Sequence, residues 1–170
     1  KEEPKKNQNQ QIMILAHNKT LIEYLYKSIE HNKIASVGYY IGGMKEKALK
    51  ESESKKIIIA TYAMASEGLD IKTLTTLLMA TPKSDVCQSV GRILRVKHSN
   101  PLVIDIVDSH DIFEKQWMKR RAFYIKQKYE IISSDNIKYF KDEWNIEHRP
   151  GTVQTIFKPK GVLPTGKCLI

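Results

Sequence analysis

Cysteine is nearly missing from the 170 residues: Cys87 and Cys168 stand far apart, with no CxxC pair and no Cys/His cluster. That excludes a disulfide framework and a structural zinc site, and it points to an intracellular, reducing compartment. Long apolar runs are missing as well. No stretch approaches the ~18 residues that a membrane span needs, so no membrane partner is expected. The first eleven residues, KEEPKKNQNQQ, lack the apolar centre of a secretory signal. The chain opens on Lys1 rather than Met, which reads as a piece of a longer protein. Arginine is scarce too, confined to Arg92, Arg95, Arg120, Arg121 and Arg149, so lysine supplies the bulk of the positive charge.

What is present is a globular balance of 41% hydrophobic and 28% charged residues, with 28 Lys plus Arg against 19 Asp plus Glu. The net charge of +9 favours polyanionic partners such as nucleic acid or nucleotide. The length suits one domain, able to bury roughly 70% of the unfolded surface.

Short β-branched runs recur at 12–16, 37–41, 57–61, 77–80 and 102–107, and more weakly at 130–132, and they read as strands. Helical spacing lies between them. Thr20-Leu-Ile-Glu23 resembles a capping box leading into Leu21, Ile22, Leu25 and Ile29. Further helices are expected over 45–52, 85–96 and 112–128. Ile57-Ile-Ile-Ala is apolar on both faces, as a strand sandwiched between helices must be. The expected fold is α/β: an open, mostly parallel sheet with helices on both faces. Ligands of such sheets bind beyond the carboxyl ends of the strands, where His17-Asn18-Lys19, Gly42-Gly43, 61–70 and Thr81-Pro82-Lys83 fall. From Asn145 onward prolines and glycines break periodicity, and a basic extended tail is expected.

On a helix through Gln88-Ser-Val-Gly-Arg92-Ile-Leu-Arg95, about 100° per residue puts Gln88, Arg92 and Arg95 on one face. Val86, Val90, Ile93 and Leu94 fall opposite. Guanidinium forks suit phosphate, and an arginine at a γ-phosphate stabilises charge in phosphoryl transfer. The same spacing also describes a solvated amphipathic helix with two exposed arginines. Upstream, a buried strand ends at Thr61, and Gly68 allows a turn that returns Asp70 to the same edge. An ordinary turn glycine and a capping aspartate would look the same.

Together these two segments resemble the second RecA-like domain of superfamily 2 helicases, with A-T-x-x-x-x-x-G-x-D at 60–70 and Q-x-x-G-R-x-x-R at 88–95 in the family's order. The resemblance covers about residues 11 to 130. It implies that Arg92 and Arg95 are arginine fingers to ATP, supported by Gln88. Gly68 and Asp70 would line the nucleotide side. Thr61, Asn18, Lys19, Gly42 and Gly43 would contact the nucleic-acid backbone. Gln88, in place of the histidine of DEAD-box proteins, resembles the phage recombination and poxvirus transcript-release branch, as do Phe113, Arg121 and Tyr124. An Ile- and Lys-rich composition suits a large DNA virus, which would place the protein in host cytoplasm or virion.

Such helicases hydrolyse ATP with Mg²⁺ between two RecA-like domains, and no D-E-x-H or D-E-x-D motif occurs here. Gly161-Val-Leu-Pro-Thr-Gly166-Lys167-Cys168 fits G-x-x-x-x-G-K, but Cys168 replaces Ser/Thr and no helix can follow, so a phosphate loop is not expected there. Trp117, Phe123 and Tyr124 read as packing, Arg120 and Arg121 as solvated, and His17 as a hydrogen-bonded loop residue. No residue set for metal is found, and no base readout. Lys5, Lys6 and the tail lysines suit nonspecific phosphate contact.

The expected layout is a flexible linker at 1–10, the helicase C-terminal domain at 11–133 and an extension at 134–170. The expected function is the C-terminal motor domain of an ATP-dependent DNA or RNA helicase or translocase. Its partners would be nucleic acid and the N-terminal RecA-like domain that binds most of the ATP and Mg²⁺. The fragment alone should be inactive as an ATPase. The alternative is a non-catalytic basic α/β module for nucleic acid or protein.

Overall fold

The computed structural model describes residues 10–67, 71–84, 86, 90, 101–151 and 167–169. They fall into two compact units, one from residues 1–78 with 89–102 and one from 79–88 with 103–170.

The first unit runs β1 (Gln11–Ala16), α1 (Lys19–His31), β2 (Val37–Tyr40), α2 (Glu46–Glu53), β3 (Ile57–Thr61), α3 (Tyr62–Glu67) and β4 (Leu74–Met79), which ends at the unit boundary. Its strand order is β2-β3-β1-β4. β3 pairs in parallel with β1 on one side and β2 on the other. Successive residues of β3 point to opposite faces, yet Ile58, Ile59 and Ala60 are all fully buried. Both faces are therefore covered, as the unbroken apolar run requires. α1 packs on β1, β2 and β3, α2 on β2, and α3 on β1 and β3. Ile22 and Ile29 of α1, and Tyr62 and Ala65 of α3, are buried with Met13, Leu15, Leu74 and Leu77. Each such large side chain removed from water contributes ~1.5–3 kcal/mol.

The second unit holds β5 (Leu102–Val107), α4 (Asp111–Lys126), β6 (Ile131–Asp135), α5 (Asn136–Phe140), β7 (Asn145–His148) and β8 (Lys167–Leu169). Its order is β5-β8-β6-β7, with β8 antiparallel to both β5 and β6, and β7 antiparallel to β6.

Four local expectations change. Thr20 does not open α1: Asn18 is the N-cap, its side chain accepting from the Thr20 amide at 2.8 Å. The stretch after Thr61, read as a loop, begins with α3, because Tyr62 and Ala65 find a buried face that no periodic signal of six residues could announce. β4 starts at Leu74, earlier than 77, because Thr76 is buried and Thr75 exchanges hydrogen bonds with the Gln11 backbone. The stretch from Asn145, read as an extended tail, supplies β7, and β8 follows at its far end. In β8, Cys168 faces Ile106 and Ser134, so the end of the G-x-x-x-x-G-K sequence enters a strand where a phosphate loop needs a helix.

Candidate functional site at the carboxyl edge of the parallel strands

Register decides which residues share an edge. Ala16 at the end of β1 lies opposite Thr61 at the end of β3, and Tyr40 at the end of β2 lies opposite Ala60. The three strands therefore stop at one level. His17-Asn18-Lys19, Ile41-Gly42-Gly43 and Thr61 emerge side by side on the edge where open α/β sheets bind ligands.

Each residue is held there by a local cause. Asn18 has extended backbone angles and spends its side-chain oxygen on the Thr20 amide, which leaves its amide nitrogen as the donor at this edge. Lys19 is exposed and opens α1, whose first turn contains no acidic residue. The ammonium and the positive end of the helix dipole thus add at one place. Gly43 has φ +88°, a conformation that favours glycine, and an added Cβ at Gly42 or Gly43 would meet nothing within 4 Å. The loop is open, and only Gly43 is required by the backbone. Lys45, exposed, follows as the N-cap residue of α2. The Thr61 hydroxyl accepts from the Met64 amide at 3.4 Å, closing the first turn of α3 and leaving its proton to donate elsewhere. His17 is exposed, with its ring 4.5 Å, centroid to centroid, from that of buried Tyr62.

Asn18, Lys19, Gly42, Gly43 and Thr61 are thus brought to one edge. Gly68, Asp70, Gln88, Arg92 and Arg95 lie outside the described residues. Val86 and Val90, expected on the apolar side of the helix that carries the arginines, are each 1% exposed.

One cluster has no counterpart among the residues expected from the sequence. Arg120, expected in solvent, is buried and paired with Asp105 of β5, and Tyr124 donates to the same carboxylate. Burial pushes the Asp105 carboxyl above its usual range, while hydrogen bonds and charge from Arg120, then the Tyr124 bond, pull it back. The available signal was a carboxylate inside the apolar run Leu-Val-Ile-Asp-Ile-Val, with Arg and Tyr four apart on the next helix. Arg121, the arginine of the family resemblance, is only partly buried. Among the described residues no group of three or more His, Cys, Asp and Glu could hold a metal ion. None of the described helices is long and apolar enough to cross a membrane.

A family model described as the helicase conserved C-terminal domain matches residues 1–97. A protein of Acanthamoeba polyphaga mimivirus named "Putative ATP-dependent RNA helicase" is 44% identical over 142 residues, 79% of this chain and 27% of that protein. A protein of the same description from African swine fever virus (isolate Pig/Kenya/KEN-50/1950) is 29% identical over 143 residues, 76% of this chain and 28% of that one. The chain therefore spans about a quarter of the length of these relatives, both from large DNA viruses. Among solved structures, the C-terminal domain of the DEAD-box protein Dbp5 superposes with a TM-score of 0.54 at 18% identity, covering 78% of this chain and 71% of that one. That likeness establishes the RecA-like α/β fold. The chain belongs to the helicase conserved C-terminal domain family and has the RecA-like α/β fold.

Proposed function

We propose that this chain is the C-terminal motor half of an ATP-dependent helicase or translocase acting on a nucleic-acid strand, with RNA first because the relatives are named for it. The observation that carries the proposal is the common level of three strand ends. It places an asparagine amide, a lysine at a helix N-terminus, an open glycine turn and a threonine hydroxyl on one edge. Those groups suit a sugar-phosphate backbone and give little sequence preference. Arg92 and Arg95, supported by Gln88, act as fingers on ATP, and Gly68 and Asp70 line its site. Hydrolysis of the γ-phosphate supplies the free energy of movement. Mg²⁺ comes with the nucleotide phosphates and the acidic motif of an N-terminal RecA-like domain. Closure of the two domains on ATP, and reopening after hydrolysis, advances the backbone contacts.

The test uses the full-length protein. Arg92→Ala should lower ATP turnover by ~10³-fold and leave binding to poly(U) nearly unchanged. Near-normal turnover would overturn the motor reading. Loss of poly(U) affinity with turnover intact would favour a non-catalytic basic module. On the strand edge, Gly42→Ala disturbs no packing, so a fall in RNA affinity in that variant reports the strand contact itself.

A further inference from the structure

α4 turns one arginine inward. Arg120 is 1% exposed, and its Nε and Nη2 donate to the two oxygens of Asp105 at 2.7 and 3.0 Å, fork to fork. Its remaining nitrogen, Nη1, leaves the carboxylate and donates to the backbone carbonyl of Lys83 at 2.7 Å. The Trp117 ring lies over the guanidinium, 5.9 Å from its centroid.

A buried pair of this kind adds little net stability, since apolar replacement of both partners is often neutral or better. What the arrangement does supply is position. Lys83 belongs to Thr81-Pro82-Lys83-Ser84, the connection leading out of β4. Gln88 follows five residues later, and Arg92 and Arg95 four and seven residues beyond it. A backbone carbonyl tied to a buried, planar guanidinium is a fixed point at the root of that segment. Lysine could not reproduce it, because an ammonium is a point charge and lacks the fork that serves a carboxylate and a carbonyl at once.

We propose that Arg120 is a positioning residue for ATP turnover: anchored on Asp105, it holds the Lys83 carbonyl and so fixes the connection out of β4, from which the chain runs on to Gln88, Arg92 and Arg95. This rests on the motor reading above. Arg120 touches no nucleotide and acts through the backbone.

The experiment compares four variants of the full-length protein. Arg120→Lys leaves the buried Asp105 without its fork and costs stability as well as position, so the decisive variant is Asp105→Leu/Arg120→Met, which removes the pair, keeps the volume and drops the anchor. The expected result is a fall of about ten- to a hundredfold in kcat for ATP, as for a displaced catalytic group. Poly(U) affinity should stay close to wild type, and the thermal midpoint should fall by about as much as in Tyr124→Phe, because Asp105→Leu also removes the acceptor of the Tyr124 hydroxyl. Amide exchange should rise at Lys83 and Ser84 and stay unchanged in β1 and β3. Tyr124→Phe deletes a bond to Asp105 but not the one to Lys83, so it should lower the thermal midpoint and leave kcat alone. A folded double variant with kcat within about twofold of wild type, when Arg92→Ala has abolished turnover, overturns this inference alone. If Arg92→Ala retains turnover, the motor reading fails first.

Discussion

Gln11 sits at the amino end of β1, at the end of the strand away from the candidate site. Its side-chain nitrogen donates to the carbonyls of Glu53 and Lys55 at 2.7 and 2.8 Å, and its oxygen accepts from the Thr73 hydroxyl. One buried amide thus ties the start of β1 to the end of α2 and to the approach to β4. Gln11→Met keeps the shape and leaves two carbonyls and a hydroxyl without partners, at a cost of about 2–4 kcal/mol. Urea unfolding of the isolated domain should register that loss, while ATP turnover of the folded full-length variant stays at the wild-type level. A cost under about 0.5 kcal/mol would mean that water replaces the amide. Arg120 makes the contrary point at the same scale: its partners confer location rather than surplus stability.

Elements end by rules that composition obscures. α1, α4 and α5 each close with paired bonds of the Schellman type. The amides of Lys33 and Ile34 donate to Glu30 and Ile29, those of Lys128 and Tyr129 to Ile125 and Tyr124, and those of Asp142 and Glu143 to Tyr139 and Lys138. The residue in the left-handed conformation is usually glycine, yet here it is Lys33, Lys128 and Asp142, with φ 50°, 62° and 55°. Each carries a steric penalty of about 1–2 kcal/mol, offset in part by the greater freedom a glycine would have when unfolded. Lys33→Gly should therefore raise stability by ~0.5–1 kcal/mol, read as a higher urea midpoint at constant slope. A lower midpoint would show that the lysine side chain contributes more than its backbone costs. Gly38 is the reverse case: a Cβ there would sit 2.9 Å from Ser52 of α2, so the absence of a side chain lets β2 and α2 approach.

At the scale of the whole molecule, a net charge of +9 means that the proposed affinity for nucleic acid should depend on salt. For single strands the logarithm of affinity falls by about 0.7 per phosphate contact for each tenfold rise in salt. Lys19→Ala should remove about one contact's worth of that slope and weaken binding equally for poly(U) and mixed sequences. Fluorescence anisotropy between about 50 and about 200 mM KCl measures both. An unchanged slope would remove Lys19 from the strand path.

How much of this was legible depends on the range of the interactions. β3 and β5 are bounded as their apolar runs are, and β1 and β2 to within one residue, so the strand ends that carry Asn18, Gly42 and Thr61 were readable; for β3, burying an unbroken β-branched run on both faces leaves few alternatives. The family, too, was readable from short motifs whose spacing is local. Tertiary structure alone decided which of two adjacent arginines turns inward. Arg120 goes in because Asp105, fifteen residues earlier, and the Lys83 carbonyl, 37 residues earlier, together satisfy its donors. A buried charge is tolerated only where such partners converge, and partners so distant in the chain leave no periodicity in it.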